Sequence, residues 1–154
     1  MRRSRAGGFT LIELMIVLVI LSFLAALGAP AFRGFIVEQR MRTTTADLRI
    51  ALMTARSEAV KRNRDVVLSP AAGGWNTGWF IPDPAGGGRP DLLTHEQPGA
   101  GDMTIAVTGG TVGFEASGRA EGEVIFTVTA GSGDYTASRC LKLSVNGYLD
   151  NSCS

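Results

Sequence analysis

Hydrophobic and polar positions divide the chain into three stretches of different texture. From Phe9 to Phe32 the sequence is apolar apart from Thr10, Glu13 and Ser22. As a helix at ~1.5 Å per residue this stretch would reach ~36 Å, enough to cross a hydrocarbon layer of ~30 Å. From Phe32 to about Arg62 a helical period takes over. Met41, Leu48, Leu52, Ala55 and Ala59 recur on one face, with Thr45 filling the gap, and Arg40, Arg42, Asp47, Arg49, Arg56, Glu58 and Lys61 lie on the others. No glycine or proline interrupts Phe35–Asp65, and the short side chains of Asn63 and Asp65 mark where the helix ends. The first two stretches therefore read as one rod, greasy all round in its first half and striped in its second. Pro30 removes a backbone donor and crowds the preceding turn, which predicts a kink near Gly28–Pro30 rather than a termination.

After Asp65 the texture becomes that of short strands. Candidates are Val66–Ser69, Trp79–Pro82, Leu92–Thr94, Met103–Val107, Thr111–Glu115, Val124–Thr129 and Cys140–Val145. Turn signals separate them: Gly73-Gly74, Gly86–Gly88, Gly99–Gly101, Gly109-Gly110, Ser117-Gly118, Gly131–Gly133 and Asn146-Gly147. The expected fold is α+β: a long N-terminal helix closing one face of an antiparallel β-sandwich or paired sheets. Its parts are residues 9–32, an apolar helix half; 33–65, an amphipathic half; and 66–154, a β-rich head.

Composition narrows the chemistry. The chain has 154 residues, with 15 basic against 14 acidic, so bulk charge does not announce a nucleic-acid binder. One histidine and two cysteines exclude a zinc cluster and leave no Ser-His-Asp or Cys-His machinery. Neither an enzyme, a cofactor nor a bound metal is expected. Trp75 and Trp79, bracketing a glycine-rich turn, read as packing residues, and His95, in a loop, is assigned no role. Gly86–Gly88 lacks the lysine and helix start that a phosphate-binding loop requires. Asn146, Asp150 and Asn151 carry oxygens, but their spacing matches no calcium loop.

Arg2, Arg3 and Arg5 precede the apolar stretch, which places the amino terminus in the cytoplasm and everything later outside it. A cleavable secretory signal and a plain single-span anchor both fit that pattern, yet neither explains Glu13. A carboxylate costs roughly 2.5–3.5 kcal/mol near the centre of a membrane helix and somewhat less near the interface, so it needs a partner. On the outer side Cys140 and Cys153 meet oxidising surroundings, where a bridge between them would tie the last residues to the Cys140–Val145 strand.

Gly8-Phe9-Thr10-Leu11-Ile12-Glu13 resembles the processing motif of type IV pilins and of the pseudopilins of type II secretion. The resemblance implies that residues 1–8 are a leader, removed by a prepilin peptidase that cuts after Gly8 and methylates the new amine of Phe9. It also implies that Glu13 pairs with the methylated amine of a neighbouring pilin or pseudopilin subunit during assembly. The family carries a proline at the place of Pro30. An inner-membrane location follows, with the apolar half in lipid and the head periplasmic.

Gln39-Arg40-Met41-Arg42, Ala55–Asn63 and the Trp75–Trp79 stretch look like the GspH/FimT group of minor pseudopilins and minor pilins. That implies a structural role, starting or tuning a secretion pseudopilus or a pilus. Some FimT-type pilins take up DNA through a C-terminal glycine–arginine–any–arginine motif. The corresponding stretch here, Gly147-Tyr148-Leu149-Asp150, has no arginine, and Gly118-Arg119-Ala120-Glu121 ends in the opposite charge. From Val66 to Ser154 four basic residues stand against nine acidic ones, and such a head neutralises phosphate poorly. DNA is thus a disfavoured partner, with Arg139 and Lys142 the only local candidates for contact. The stretch Arg33–Asp65 holds eight basic and four acidic residues, a surplus expected to face neighbouring acidic heads or the membrane surface.

Overall fold

The computed structural model describes residues 9–97, 103–133 and 135–152; at 26, 27, 29–31 and 33 it describes the helical backbone alone. Gly8, Cys153 and the Gly99–Gly101 turn lie outside the described residues, as does the side chain of Pro30. One helix, α1, runs over Leu11–Arg62, 52 residues. At its start Thr10 is extended, and its hydroxyl accepts a hydrogen bond from the Glu13 amide at 3.3 Å. At its end Asn63 adopts the left-handed conformation (φ 50°). There the Asn63 amide reaches the Val60 carbonyl and the Arg64 amide the Ala59 carbonyl, so orphan acceptors of the last turn are satisfied. The helix continues through Pro30 without termination, as expected. Among the described residues no helix is long and apolar enough to cross a membrane.

Val37, Met41, Thr44, Leu48, Ala51, Leu52, Ala55 and Ala59 form the buried face of α1. The gap in the period is filled by Thr44, not Thr45. Thr44 and Thr45 flank the line through Met41 and Leu48 on opposite sides, each within ~60° of it, and the head covers the Thr44 side, where the Gln97 amide donates to the Thr44 hydroxyl. Thr45 is half-buried and donates its hydroxyl to the Met41 carbonyl at 2.7 Å. Alanines at 51, 55 and 59 bring the helix backbone close to the strands.

Among the described residues nine strands form three antiparallel sheets. β1 (Val66–Val67) pairs with β6 (Gly113–Phe114); β2 (Ser69–Ala71), β3 (Gly74–Ile81) and β4 (Leu93–Glu96) form the second sheet. β5 (Met103–Gly109), β7 (Val124–Ser132), β8 (Tyr135–Leu143) and β9 (Leu149–Asp150) form the third, with β7 between β5 and β8. Val124, Phe126, Val128 and Ala130 alternate inward along β7 and, with Leu141 and Leu143 of β8, meet α1. The three sheets and the helix share a single core.

The class is the expected one, and several boundaries differ. β3 starts at Gly74, so Trp75 and Trp79 share one strand instead of bracketing a turn. Both pack on the core: Trp79 is fully buried and Trp75 meets Phe126 edge-on at 5.3 Å. His95 lies on β4 rather than in a loop, paired opposite Trp79 and stacked on its indole at 4.3 Å. β8 begins at Tyr135, well before Cys140, because its polar first half is held by backbone pairing with the end of β7.

Candidate assembly surface

Among the described residues nothing packs on the apolar start of α1. From Leu11 to Leu24 its large apolar side chains are exposed on every side; Val17, the least exposed of them, still shows 44%. The head takes hold of the helix only from Val37 onward, apart from Tyr135 at the β7–β8 hairpin, whose ring lies beside Gly34. An apolar surface of this extent marks a site that lipid or protein must cover. At its tip Phe9 is 81% exposed, and Glu13 follows in the first helical turn. Thr10 and Glu13 hold the Ncap and N3 positions of a capping-box spacing, with the Thr10 hydroxyl on the Glu13 amide. Sequence reading overlooked this second function of the motif, although Thr-x-x-Glu before an apolar run is its signature.

Where the helix enters the head, a groove of about 820 Å³ opens between α1 and the ends of β4, β5 and β7, lined by Val37, Arg40, Asp47, His95 and Met103 among others. A polar chain crosses it: the Gln97 amide donates to Thr44 Oγ1 at 2.9 Å, and Gln97 Oε1 meets His95 Nε2 at 3.2 Å. Asp47 Oδ2 stands 3.9 Å from the same imidazole nitrogen. This chain ties β4 to α1 and uses the one histidine as a strut.

Arg49, Arg56, Arg62, Arg139 and Lys142 are half-buried and engaged by groups of their own chain. Arg139 donates to Glu38, which also accepts from Arg42 at 3.2 Å. These two guanidiniums, Arg139 first, hold the Glu38 carboxyl below its ordinary pKa. Lys142 pairs with Glu123 at 2.9 Å. Arg62 binds Glu58 at 2.6 Å and Asp83 at 3.3 Å, which raises its own pKa and, together with Lys61, lowers that of Glu58. Arg56 donates to the Gly147 carbonyl at 3.1 Å, and Arg49 to Asn151 Oδ1 at 2.8 Å. Both candidate DNA contacts, Arg139 and Lys142, are thus engaged by carboxylates of their own chain. Glu38–Arg42, Glu58–Lys61 and Glu58–Arg62 are helical neighbours three or four positions apart, but the other pairings join residues some twenty to a hundred positions apart, so periodicity gave no sign of them.

Of the candidate calcium residues, Asp150 and Asn151 are also in use. Asp150 accepts from the Ser152 hydroxyl and from the amides of Ser152 and Asn151, which lowers its pKa. Among the described residues no group of three or more histidine, cysteine, aspartate or glutamate side chains is arranged to hold a metal. None of the described cysteines is free.

Residues 44–147 match the family described as type II transport protein GspH, and residues 3–29 match the prokaryotic N-terminal methylation motif. The chain is similar to type IV major fimbrial protein FimA of Dichelobacter nodosus, at 33% identity over 106 residues, covering 67% of this chain and 64% of that protein. It thus spans just under two thirds of that relative's length. It is also similar to fimbrial protein Q of Moraxella bovis, at 30% identity over 127 residues, covering 82% and 79%. Among solved structures the type IV minor pilin FimU of Pseudomonas aeruginosa has the same fold, with a TM-score of 0.62 and 24% identity over 77% of this chain and 92% of that one.

Proposed function

Because the chain belongs to the GspH family of pilin-like proteins, we propose that it is a minor structural subunit that helps to initiate or tune a type IV pilus or a type II secretion pseudopilus. The observation that carries this reading is the naked apolar half of α1, with Phe9 and Glu13 at its tip. In the inner membrane that half lies in lipid, with Arg2, Arg3 and Arg5 on the cytoplasmic side and the head in the periplasm. A prepilin peptidase cuts after Gly8 and methylates the amine of Phe9. The new terminus is a cation beside which a neighbour's Glu13 can sit, so two groups that are each costly in hydrocarbon neutralise one another only between chains. The account requires no catalysis, metal or cofactor.

Cys140 and Cys153 form a bridge in this reading. The Arg49–Asn151 hydrogen bond already lays the C-terminal segment along α1, and the bridge fastens its end to β8. A DNA receptor at a pilus tip is the alternative, but it gains nothing from Arg139 and Lys142, which sit in ion pairs.

Intact mass of the chain extracted from membranes tests the proposal. A product beginning at Phe9 with one added methyl is expected, and Gly8→Ala should retain the leader. A mature chain starting beyond Ala26 would overturn it.

A further inference from the structure

Where α1 leaves the head, three aromatic rings stand at one level along the helix. Phe32 and Phe35 lie within one turn of each other, on the sides away from buried Val37 and Met41, and are 68% and 67% exposed. On the head side the β7–β8 hairpin brings Tyr135 against Gly34, where an added Cβ would meet its ring at 3.6 Å. Tyr135 is itself exposed, and its hydroxyl bonds no other described residue. The head thus completes a collar of rings that the helix alone supplies on one side.

The charges around the collar are compensated or cationic. Glu38, one turn above Gly34, is held by Arg139 and Arg42. Arg40 is exposed and has no acidic partner among the described residues; Asp47 and Glu96 line the same groove, but Asp47 faces His95. A long side chain on a helix leans over the turn before its own Cα, which directs Arg40 back toward the collar. The side chains of Arg33 and Asp134 lie outside the described residues.

The level of the rings has a consequence for depth. As a helix the Phe9–Phe32 run is ~36 Å long, ~6 Å more than the hydrocarbon layer, so length alone leaves its position along the membrane normal open. Tyrosine, apolar in its body and polar at its tip, settles at the headgroup boundary. With the collar at the outer boundary, ~20 residues of upright helix put the inner boundary near Leu14. Glu13 and the Gly8–Phe9 bond then emerge on the cytoplasmic side, where a carboxylate costs least.

We propose that the Phe32–Phe35–Tyr135 collar docks on the phospholipid headgroup boundary of the outer leaflet, and that Tyr135 thereby sets the depth of the unassembled subunit. This rests on the membrane reading above and adds the surface through which the head itself meets lipid. Lipid is the occupant because the collar continues the apolar half of α1 at the level where its length reaches the headgroups, with an unpaired cation on the phosphate side.

The test uses the full-length chain at high lipid dilution in vesicles of phosphatidylethanolamine and phosphatidylglycerol, with a fluorophore on one introduced cysteine. A headgroup nitroxide should quench a label at Thr136→Cys several-fold more than one at Ser117→Cys, whose neighbour Gly118 packs on Arg56 and Val60 far up the helix. Tyr135→Ser should bring the Thr136 signal down toward the Ser117 level, and Tyr135→Trp should keep it. Fluorescence of Trp75 and Trp79 checks that Tyr135→Ser is folded. A mid-chain nitroxide reads Leu24→Cys separately. Strong quenching at Leu24 with Thr136 no better quenched than Ser117 would overturn the collar and leave the span standing, whereas an unquenched Leu24 would overturn both. Quenching at Thr136 indifferent to Tyr135→Ser would also overturn the proposal, because the helix alone would then carry the hairpin to the lipid. So would a blue shift at Thr136 confined to crowded vesicles, which assigns the collar to a second copy.

Discussion

Replacing Gly78 by alanine should damage the head far more than the same change at Gly86, although both glycines have positive φ. Gly78 sits in β3 at φ 139°, and a Cβ there would stand 2.1 Å from the His95 carbonyl oxygen and 3.2 Å from the Glu96 Cα. Both neighbours are backbone atoms of β4, so relief requires the strand itself to move. Moving it disturbs the Trp79–His95 stack and the Gln97 hydrogen bond to Thr44, which hold β4 against the core and the helix. At Gly86 (φ 65°) the Cβ would meet open space. There the left-handed conformation costs about 1–2 kcal/mol, offset by about 0.4–1 kcal/mol from a stiffer unfolded chain. At Gly78 backbone strain of about 1–3 kcal/mol combines with an overpacking cost of about 1–3 kcal/mol. The gap between the two variants should therefore reach about 2 kcal/mol or more, roughly 10 °C in melting temperature for a domain of this size. Denaturant unfolding in detergent, followed by the fluorescence of Trp75 and Trp79, reads it directly. Equal midpoints for the two variants would refute the steric reasoning.

Acid should loosen the junction of Glu38, Arg139 and Arg42. The lowered carboxyl pKa means that its stabilising effect is full above the ordinary value of 4.5 and is lost as pH falls through the lowered one. Glu38→Gln should flatten that acid limb of the unfolding midpoint, and an unchanged pH profile would contradict the pairing. Reduction of the Cys140–Cys153 bridge should lower stability by about 3 kcal/mol, the chain-entropy figure for a loop of ~15 residues, with Cys153→Ser reproducing the loss. An unmoved midpoint would mean the tail is held without it. Duplex DNA should show no anisotropy change with the purified chain even at low ionic strength, and salt-sensitive binding would revive the receptor reading.

The helix was legible because its signals are local. Met41, Leu48, Leu52, Ala55 and Ala59 repeat on one face, and Asn63 supplies a residue that tolerates the left-handed cap. The central strand β7 was legible for the same reason, its buried residues alternating from Val124 to Ala130. What escaped was held by distant partners. The polar Tyr135–Arg139 half of β8 is a strand because β7 supplies the opposite backbone, and His95 is ordered by the indole of Trp79. The inward pairing of Arg49, Arg56 and Arg139 depends on how the last strands fold back along the helix. Of the candidate site, Phe9 and Glu13 were visible as a motif, whereas the groove crossed by Thr44, Gln97 and His95 appeared only once the structure laid β4 beside the helix.

Glu13→Ala separates assembly from folding most cleanly. The Thr10 hydroxyl bonds the backbone amide of Glu13, so the helix start keeps its cap and only the carboxylate is lost. The measurement is the ratio of chain recovered in sheared filaments, or crosslinked to neighbouring subunits, to chain in the membrane fraction. The account predicts normal membrane levels with incorporation largely lost. Wild-type incorporation of Glu13→Ala would contradict it.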